Sequence, residues 1–269
     1  MFNAACSRLR LGGSISGSTL SGGTLIDTGG IAVSSRSGLY GFSGYRGSNP
    51  QLLGSDGQYH RSGKPVRAKT LTVNLRAYGR DATGTVVSSV GQHLETNMDD
   101  ILELIAGAGE QVILERDMED GSTRWIKVQP LVESLFSEGA YFNSSMAAYE
   151  LPVIFTAAYP YWQSETLHSD VIAVGSDTIV NAGNARISNA TYLFAGAGTF
   201  TNDDDGDVLT ATDACLVDVG TRQISNGGSP TPGRMDPPNR DWWMRLRPGT
   251  TNVTVTGSQV TVGYRDHWH

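Results

Sequence analysis

Residues 241–269 read DWWMRLRPGTTNVTVTGSQVTVGYRDHWH, and this closing stretch carries the clearest pattern in the chain. Apolar residues alternate with polar ones on both sides of a glycine, at Val253, Val255, Val260, Val262 and Tyr264. Alternation with period two is typical of a β-strand with one buried face. Gly257-Ser258 suits a two-residue type II′ turn. The stretch predicts a short strand at 243–246, a turn at Pro248-Gly249 and a final hairpin.

The pattern continues backwards from this ending to about residue 166. Short apolar runs are separated throughout by Gly, Asn and Asp turns, and no helical period lies between them. Regular spacing of this kind predicts an antiparallel sandwich or barrel. The candidate strands are 170–174, 178–180, 185–188, 192–195, 199–202, 208–212 and 215–219.

A different organisation precedes residue 165. Lys69–Tyr78 alternates strictly, which predicts a strand that is buried on one face. Residues 90–106 repeat apolar side chains at helical spacing, and we expect this helix to pack on its own sheet rather than on another subunit. Strands are predicted at 111–116, 124–128, 131–136 and 151–158. Pro160 then ends the strand, and we place the domain boundary near 165.

The first 60 residues are rich in Gly and Ser and have little periodicity. They suit either a disordered tail or an extended arm that orders against a partner, and the apolar residues among them favour the arm. Tyr40, Phe42 and Tyr45 lie in a turn-rich loop. Aromatic side chains in such a loop suit contact with another chain, or equally cover the edge of the domain's own core.

Composition excludes several classes of protein. The chain has 269 residues, a net charge of −7 and 17% charged residues, with no basic stripe of the kind that binds nucleic acid. No apolar run is long enough to span a membrane, and the first residues lack a signal-peptide layout, so we expect assembly in cytoplasm. The two cysteines, Cys6 and Cys215, form neither a disulfide framework nor a zinc site.

No motif predicts catalysis, a cofactor or a resident metal. The acidic run at 202–207 lacks EF-hand spacing and contains Asp205-Gly206, so a plain turn is favoured over a weak calcium site. His267 and His269 flank Trp268, and we interpret this end as a solvated tail. Carboxylates such as Glu133, Glu138 and Glu150 are present, but nothing pairs them as in a glycosidase.

Several segments, in this order, resemble the distal tail proteins of long-tailed, siphovirus-type phages. In the first half the resemblance covers the strand from Lys69, the helical segment LETNMDDIL at 94–102, and the strand from Leu151 that leads into Tyr159-Pro160-Tyr161-Trp162. In the second half it covers Asn181-Ala182-Gly183, Cys215-Leu216-Val217-Asp218 with Arg222-Gln223-Ile224, and Trp243-x-x-Leu246-x-Pro248-Gly249 in the closing block. The long Gly/Ser-rich start departs from the family pattern.

The resemblance implies a mainly β protein with two parts. Residues 1–165 would be a ring-forming β domain with one helix, and 166–269 a galectin-like antiparallel β-sandwich. It further implies a structural virion protein, located at the tail tip, that forms a homo-hexameric ring between the tail tube protein and the tail hub. Tape-measure protein and receptor-binding fibres are further expected partners. Candidate subunit contacts are Tyr40, Phe42, Tyr45, Leu71, Val73 and Leu75.

Two other functions stay open at this point. A carbohydrate-binding module of the tail tip would use Trp242, which could stack on a sugar ring. Because adjacent strand residues point to opposite faces, only one of Trp242 and Trp243 would be exposed. A hydrolase of the host envelope would need catalytic residues that the sequence does not single out.

Overall fold

The computed structural model describes residues 9–16, 19–21, 24–25, 31–37, 68–81, 83–85, 89–106, 112–118, 120–131, 141–143, 148–235 and 244–269. The chain divides into two compact units. The first comprises Met1–Pro160 together with His269, and the second comprises Tyr161–Trp268. The division falls directly after Pro160.

The first unit is built on antiparallel strands. Their bounds are β1 Leu9–Ser16, β2 Thr19–Ser21, β3 Thr24–Leu25, β4 Ile31–Ser37, β5 Lys69–Tyr78, β6 Val112–Asp117, β7 Thr123–Pro130, β8 Tyr141–Asn143 and β9 Ala148–Ala157. Neighbouring strands follow the order β2-β1-β6-β7-β9-β5-β4. The predicted hairpin is present, because β6 pairs with β7 from Val112↔Val128 to Asp117↔Thr123.

The core of the first unit lies between one face of β5 and β9 and the single described helix, α1, Val90–Ala106. Leu71 lies opposite Phe155, and Val73 opposite Val153. In the helix, Ile101 and Ile105 are fully buried. The apolar stripe of α1 thus packs on its own sheet, as the periodicity predicted.

This packing corrects part of the predicted subunit contact. Leu71, Val73 and Leu75 are at most 1% exposed, since the period-two face they share is the core face. A side chain without accessible surface has nothing to offer a second chain. These three residues hold the domain together from inside, and any contact between subunits must use other side chains.

The described parts of the Gly/Ser-rich start belong to the same sheet. β1 pairs with β6, including Leu11↔Leu114, and β4 pairs with β5, including Ile31↔Ala77. Leu11 is fully buried. We expected these two segments to form an arm that orders against a partner, but they pair within their own chain. Backbone pairing and apolar side chains outweigh the low strand propensity of Gly and Ser.

The second unit is an antiparallel β-sandwich, and its described residues include a short 3-10 turn at Pro232–Arg234. Its strands are β10 Trp162–Ser164, β11 His168–Ile172, β12 Gly175–Asn181, β13 Thr191–Phe194, β14 Gly198–Asn202, β15 Asp207–Ala211, β16 Cys215–Asp218, β17 Gln223–Asn226, β18 Ser229–Pro230, β19 Gly249–Thr256, β20 Val260–Tyr264 and β21 His267–Trp268. One sheet has the order β11-β20-β13-β16-β17-β18 and the other β12-β19-β14-β15.

The predicted closing hairpin is wrong in its pairing. β19 pairs with β12 and β14, whereas β20 pairs with β11 and β13 in the opposite sheet. Gly257 has a φ of +80°, and a Cβ atom there would lie 2.6 Å from the Ala197 carbonyl oxygen. The chain therefore arches from one sheet to the other, and Val253, Val255, Val260 and Val262 are all fully buried in the core between the sheets.

Two smaller predictions also change. Residues 185–188 form no strand in the fully described stretch 148–235, but make isolated bridges, Ala185↔His267 and Ile187↔Leu246. Leu246 makes only that bridge, so the expected strand at 243–246 is absent from its described part, 244–246. Most of the predicted strand 131–136 lies outside the described residues.

Candidate functional site

A buried polar cluster of the second unit lies around Asp266, in the chain ending after β20. One carboxylate oxygen of Asp266 accepts the backbone N–H of Ala182 at 2.8 Å, and the other lies 3.0 Å from Nε2 of His168. The Asp266 carbonyl accepts the N–H of Ser164 at 3.0 Å. Asp266 is only 6% exposed, so these bonds replace the water that its charge would otherwise require.

The segment Asn181-Ala182-Gly183, which is part of the resemblance described above, forms the other half of this cluster. The Asn181 side chain donates to the Ala185 carbonyl at 2.8 Å and accepts the Gly183 N–H at 3.0 Å. Asn181 is 1% exposed. The amide thus closes a tight turn that presents the Ala182 N–H to Asp266, and the motif has a structural role.

His267 corrects the interpretation of the chain end as a solvated tail. It is fully buried, and its strand β21 pairs with β10 through Trp162↔Trp268 and Gln163↔His267. Its Nδ1 donates to the Arg186 carbonyl at 3.1 Å, and its ring lies parallel to that of Tyr161 with centroids 5.7 Å apart. Burial lowers the pKa of His267 to about 4, so the ring is neutral near pH 7.

A second group of titratable side chains adjoins Asp266. The rings of His168 and Tyr264 are stacked with centroids 4.9 Å apart. The Tyr264 hydroxyl lies 2.8 Å from a carboxylate oxygen of Asp170 and 3.0 Å from the Val180 carbonyl. Burial and the Asp170 carboxylate raise the pKa of Tyr264, so it stays a hydrogen-bond donor. These contacts join β11, β12 and β20, and their geometry is that of a structural network.

The acidic run at 203–207 forms a turn that is hydrogen-bonded to β19. Asp203 accepts the Thr254 hydroxyl at 2.8 Å, and Asp204 accepts both the backbone and side-chain N–H groups of Asn252 at 3.1 Å. The guanidinium of Arg247 donates to Asp205. The carboxylates are therefore already used within the fold, as the turn interpretation expects.

The outer faces of the two sheets differ in chemistry. Across the larger sheet, one row of opposed residues runs Val171, Thr261, Leu193 and Leu216. Val171 is 59% exposed and Leu193 49%. The smaller sheet surrounds its exposed Val180 and Val208 with hydroxyl side chains, and Thr254 lies beside Ser176 with their oxygens 3.3 Å apart. The aliphatic row of the larger sheet is the candidate protein-contact surface of the sandwich.

Several sequence predictions lie outside the described residues: Tyr40, Phe42, Tyr45 and Trp242. Among the exposed large apolar side chains of the described sandwich there is no aromatic ring. The cluster around Asp266 was missed, although an Arg-Asp-His run placed directly after a buried strand is an available signal.

The described residues contain no group of three or more His, Cys, Asp or Glu side chains placed to hold a metal ion. Within the same residues, the helix lacks the length and apolar character needed to cross a membrane.

Comparison with known proteins gives a likeness among solved structures. No family model matches the chain, and no curated protein matches it by sequence. Among solved structures, the chain is similar to the crystal structure of SPP1 Dit (gp 19.1), described as a paradigm of the hub adsorption apparatus in phages that infect Gram-positive bacteria. The TM-score is 0.65 at 14% identity, covering 97% of this chain and 99% of that one. The chain therefore has a Dit-like fold from its first unit to its last strand.

Proposed function

We propose that this protein is a structural component of a phage tail tip, which assembles as a hexameric ring joining the tail tube to the tail hub. The observation that carries the proposal is the likeness to SPP1 Dit over nearly the whole of both chains. A shared single domain could reflect a common superfold with unrelated functions. A likeness that spans both units of this chain and nearly all of the other chain is harder to explain in that way.

The chemistry of the described residues supports a structural role. The hydrogen bonds of the polar clusters around Asp266 and Asp204 join strands to one another. A ring subunit needs broad surfaces for its neighbours, and a closed ring needs two different patches that meet head to tail. The aliphatic row on the larger sheet is one surface suited to contact with another tail protein.

The direct test is the mass and shape of the purified full-length protein. We expect light scattering to report six times the 28.7 kDa chain mass, and negative-stain microscopy to show rings with a central channel. A chain that is monomeric alone but hexameric in isolated tails would still support the role. A monomer within intact tails would overturn it.

A pair of variants tests the contact surface separately. Leu193→Glu places a charge in the centre of the aliphatic row, whereas Thr178→Glu places the same charge on an exposed position of the other sheet. Both positions are on the surface, so each variant should fold with a stability change within about 0.5 kcal/mol. In a phage complementation assay, we expect Leu193→Glu to reduce incorporation into tails and Thr178→Glu to leave it unchanged. Equal incorporation of the two would remove this surface from the proposal.

A further inference from the structure

The ending of the second unit contains a neutral histidine at the centre of contacts that hold its last strand. The three successive residues Arg265, Asp266 and His267 are each at most 7% exposed. All three bind backbone groups of other segments, and none of these contacts belongs to the apolar core, which ends at Tyr264. The last strand is therefore held by these polar contacts and by its two-residue pairing with β10.

We propose that residues 265–268 form an acid-sensitive latch, in which charging of the buried His267 ring releases β21 from β10 while both sheets of the sandwich stay folded. The inference concerns the second unit alone and does not depend on the protein forming a ring.

The protonation state of His267 follows from its hydrogen bond. A carbonyl oxygen only accepts, so the Nδ1 atom that lies 3.1 Å from the Arg186 carbonyl must carry the proton of the neutral ring. A second proton would place a full charge on a side chain with no accessible surface. Such a charge is costly unless the group moves to water.

The charged groups around the ring do not remove this cost. Asp266 favours the charged form, yet its own carboxylate is already bonded to Ala182 and paired with His168. Arg186 contributes only its carbonyl, and Tyr161 contributes a parallel aromatic ring. Arg265 donates to the Ser164 and Glu165 carbonyls, and Asp170 accepts from Tyr264. Desolvation therefore dominates, and it lowers the pKa of His267 to about 4 from 6.5.

Opening the latch is the least costly way to relieve a buried charge. β21 has two residues and pairs with three-residue β10, whereas β20 keeps its full pairing with β11 and β13. Short terminal segments open locally at a lower free energy than the whole domain. In the open form His267 has its ordinary pKa of 6.5. The equilibrium therefore shifts towards the open form as the pH falls below 6.5. By pH 4 the equilibrium constant for opening is on the order of 100-fold larger than at neutral pH.

Three backbone amides report directly on the latch. The N–H of Ser164 donates to the Asp266 carbonyl, that of Ala185 to the His267 carbonyl, and that of Ala182 to the Asp266 carboxylate. We would measure hydrogen exchange of these amides in the full chain by NMR between pH 7 and pH 4, normalised to the chemical exchange rate. Amides in β14 and β19 serve as the reference for global opening.

The expected result is a selective loss of protection. Normalised exchange of Ser164 and Ala185 should rise on the order of 100-fold while the reference amides keep their protection. His267→Gln removes the titrating ring but keeps an N–H donor for the Arg186 carbonyl, and it should abolish the rise. His168→Gln is the matched control, since it removes a histidine from the same cluster and should leave the rise in place.

Other outcomes overturn the proposal. Exchange that accelerates equally in the latch and in β14 would mean that acid unfolds the sandwich as a whole. If the rise in exchange persists in His267→Gln, another titrating group causes it. In case that variant does not fold, the NMR titration of His267 in the wild-type chain decides, because an ordinary pKa near 6.5 in the closed state leaves no energy to drive the latch.

Discussion

Gly183 lies directly against the backbone of His267, so closely that a Cβ atom at residue 183 would collide with the His267 carbonyl group. The obstacle is backbone that also accepts the Ala185 N–H, and it cannot yield as a flexible side chain would. Replacing Gly183 with Ala should therefore lower the free energy of unfolding by about 1–3 kcal/mol or more. Urea unfolding followed by tryptophan fluorescence measures this. Gly233→Ala is the control, because its Cβ would meet nothing within 4 Å, and it should be neutral.

The buried hydroxyl of Tyr192 makes this position suitable for a stabilising substitution in the sandwich core. Its hydroxyl is buried and has no hydrogen-bond partner among the described residues, while its ring packs on Phe200. Burying an unsatisfied hydroxyl costs more than removing it, so Tyr192→Phe should raise the free energy of unfolding by about 1 kcal/mol. Tyr264→Phe should have the opposite effect, since that hydroxyl is bonded to Asp170. Loss of stability in Tyr192→Phe would reveal a partner for this hydroxyl.

The acidic turn at 203–207 should not respond to calcium. Its carboxylates are bonded to Thr254, Asn252 and Arg247, and a calcium ion would have to displace these partners. The hydrogen bonds from Asn252 lower the pKa of Asp204, so its carboxylate is ionised and already satisfied at neutral pH. Isothermal titration with calcium should therefore show no saturable heat, and the melting temperature should stay constant. A stoichiometric binding curve would contradict this account.

The lowered pKa of Lys69 predicts how the stability of the first unit depends on pH. Burial and the nearby Arg116 guanidinium lower the pKa of Lys69 to about 8 from 10.5. The unfolded chain therefore binds more protons than the folded chain between these two values, and the contribution of Lys69 to stability rises with pH across that window. The rise is at most about 3 kcal/mol in total, as the cost of the buried charge disappears.

The measurement is urea unfolding at several pH values from 8 to 10.5 for wild type and Lys69→Met. Other groups titrate over the same range, so the difference between the two proteins isolates the contribution of Lys69. That difference should shrink steadily as the pH rises. A difference that is independent of pH would show that Lys69 is not the titrating group.

Local periodicity was enough to predict most individual elements. The strands around Leu71 and Val153, the hairpin of β6 and β7 and the helix at Val90–Ala106 all follow from the spacing of apolar residues. Periodicity reports which side of an element is buried. It does not report what lies on that side, which is why Leu71, Val73 and Leu75 could be expected at a subunit contact and yet form the core.

The sequence by itself determined that residues 253–264 contain two strands whose valines share a buried face. Only the tertiary structure decided that Gly257 turns the chain into the opposite sheet, because a hairpin and an arch require the same alternation. The tertiary structure also placed His267 in a buried site, through contacts with Arg186 and Tyr161 that are distant in the chain. Burial of a polar side chain depends on such distant partners, and no local pattern encodes them.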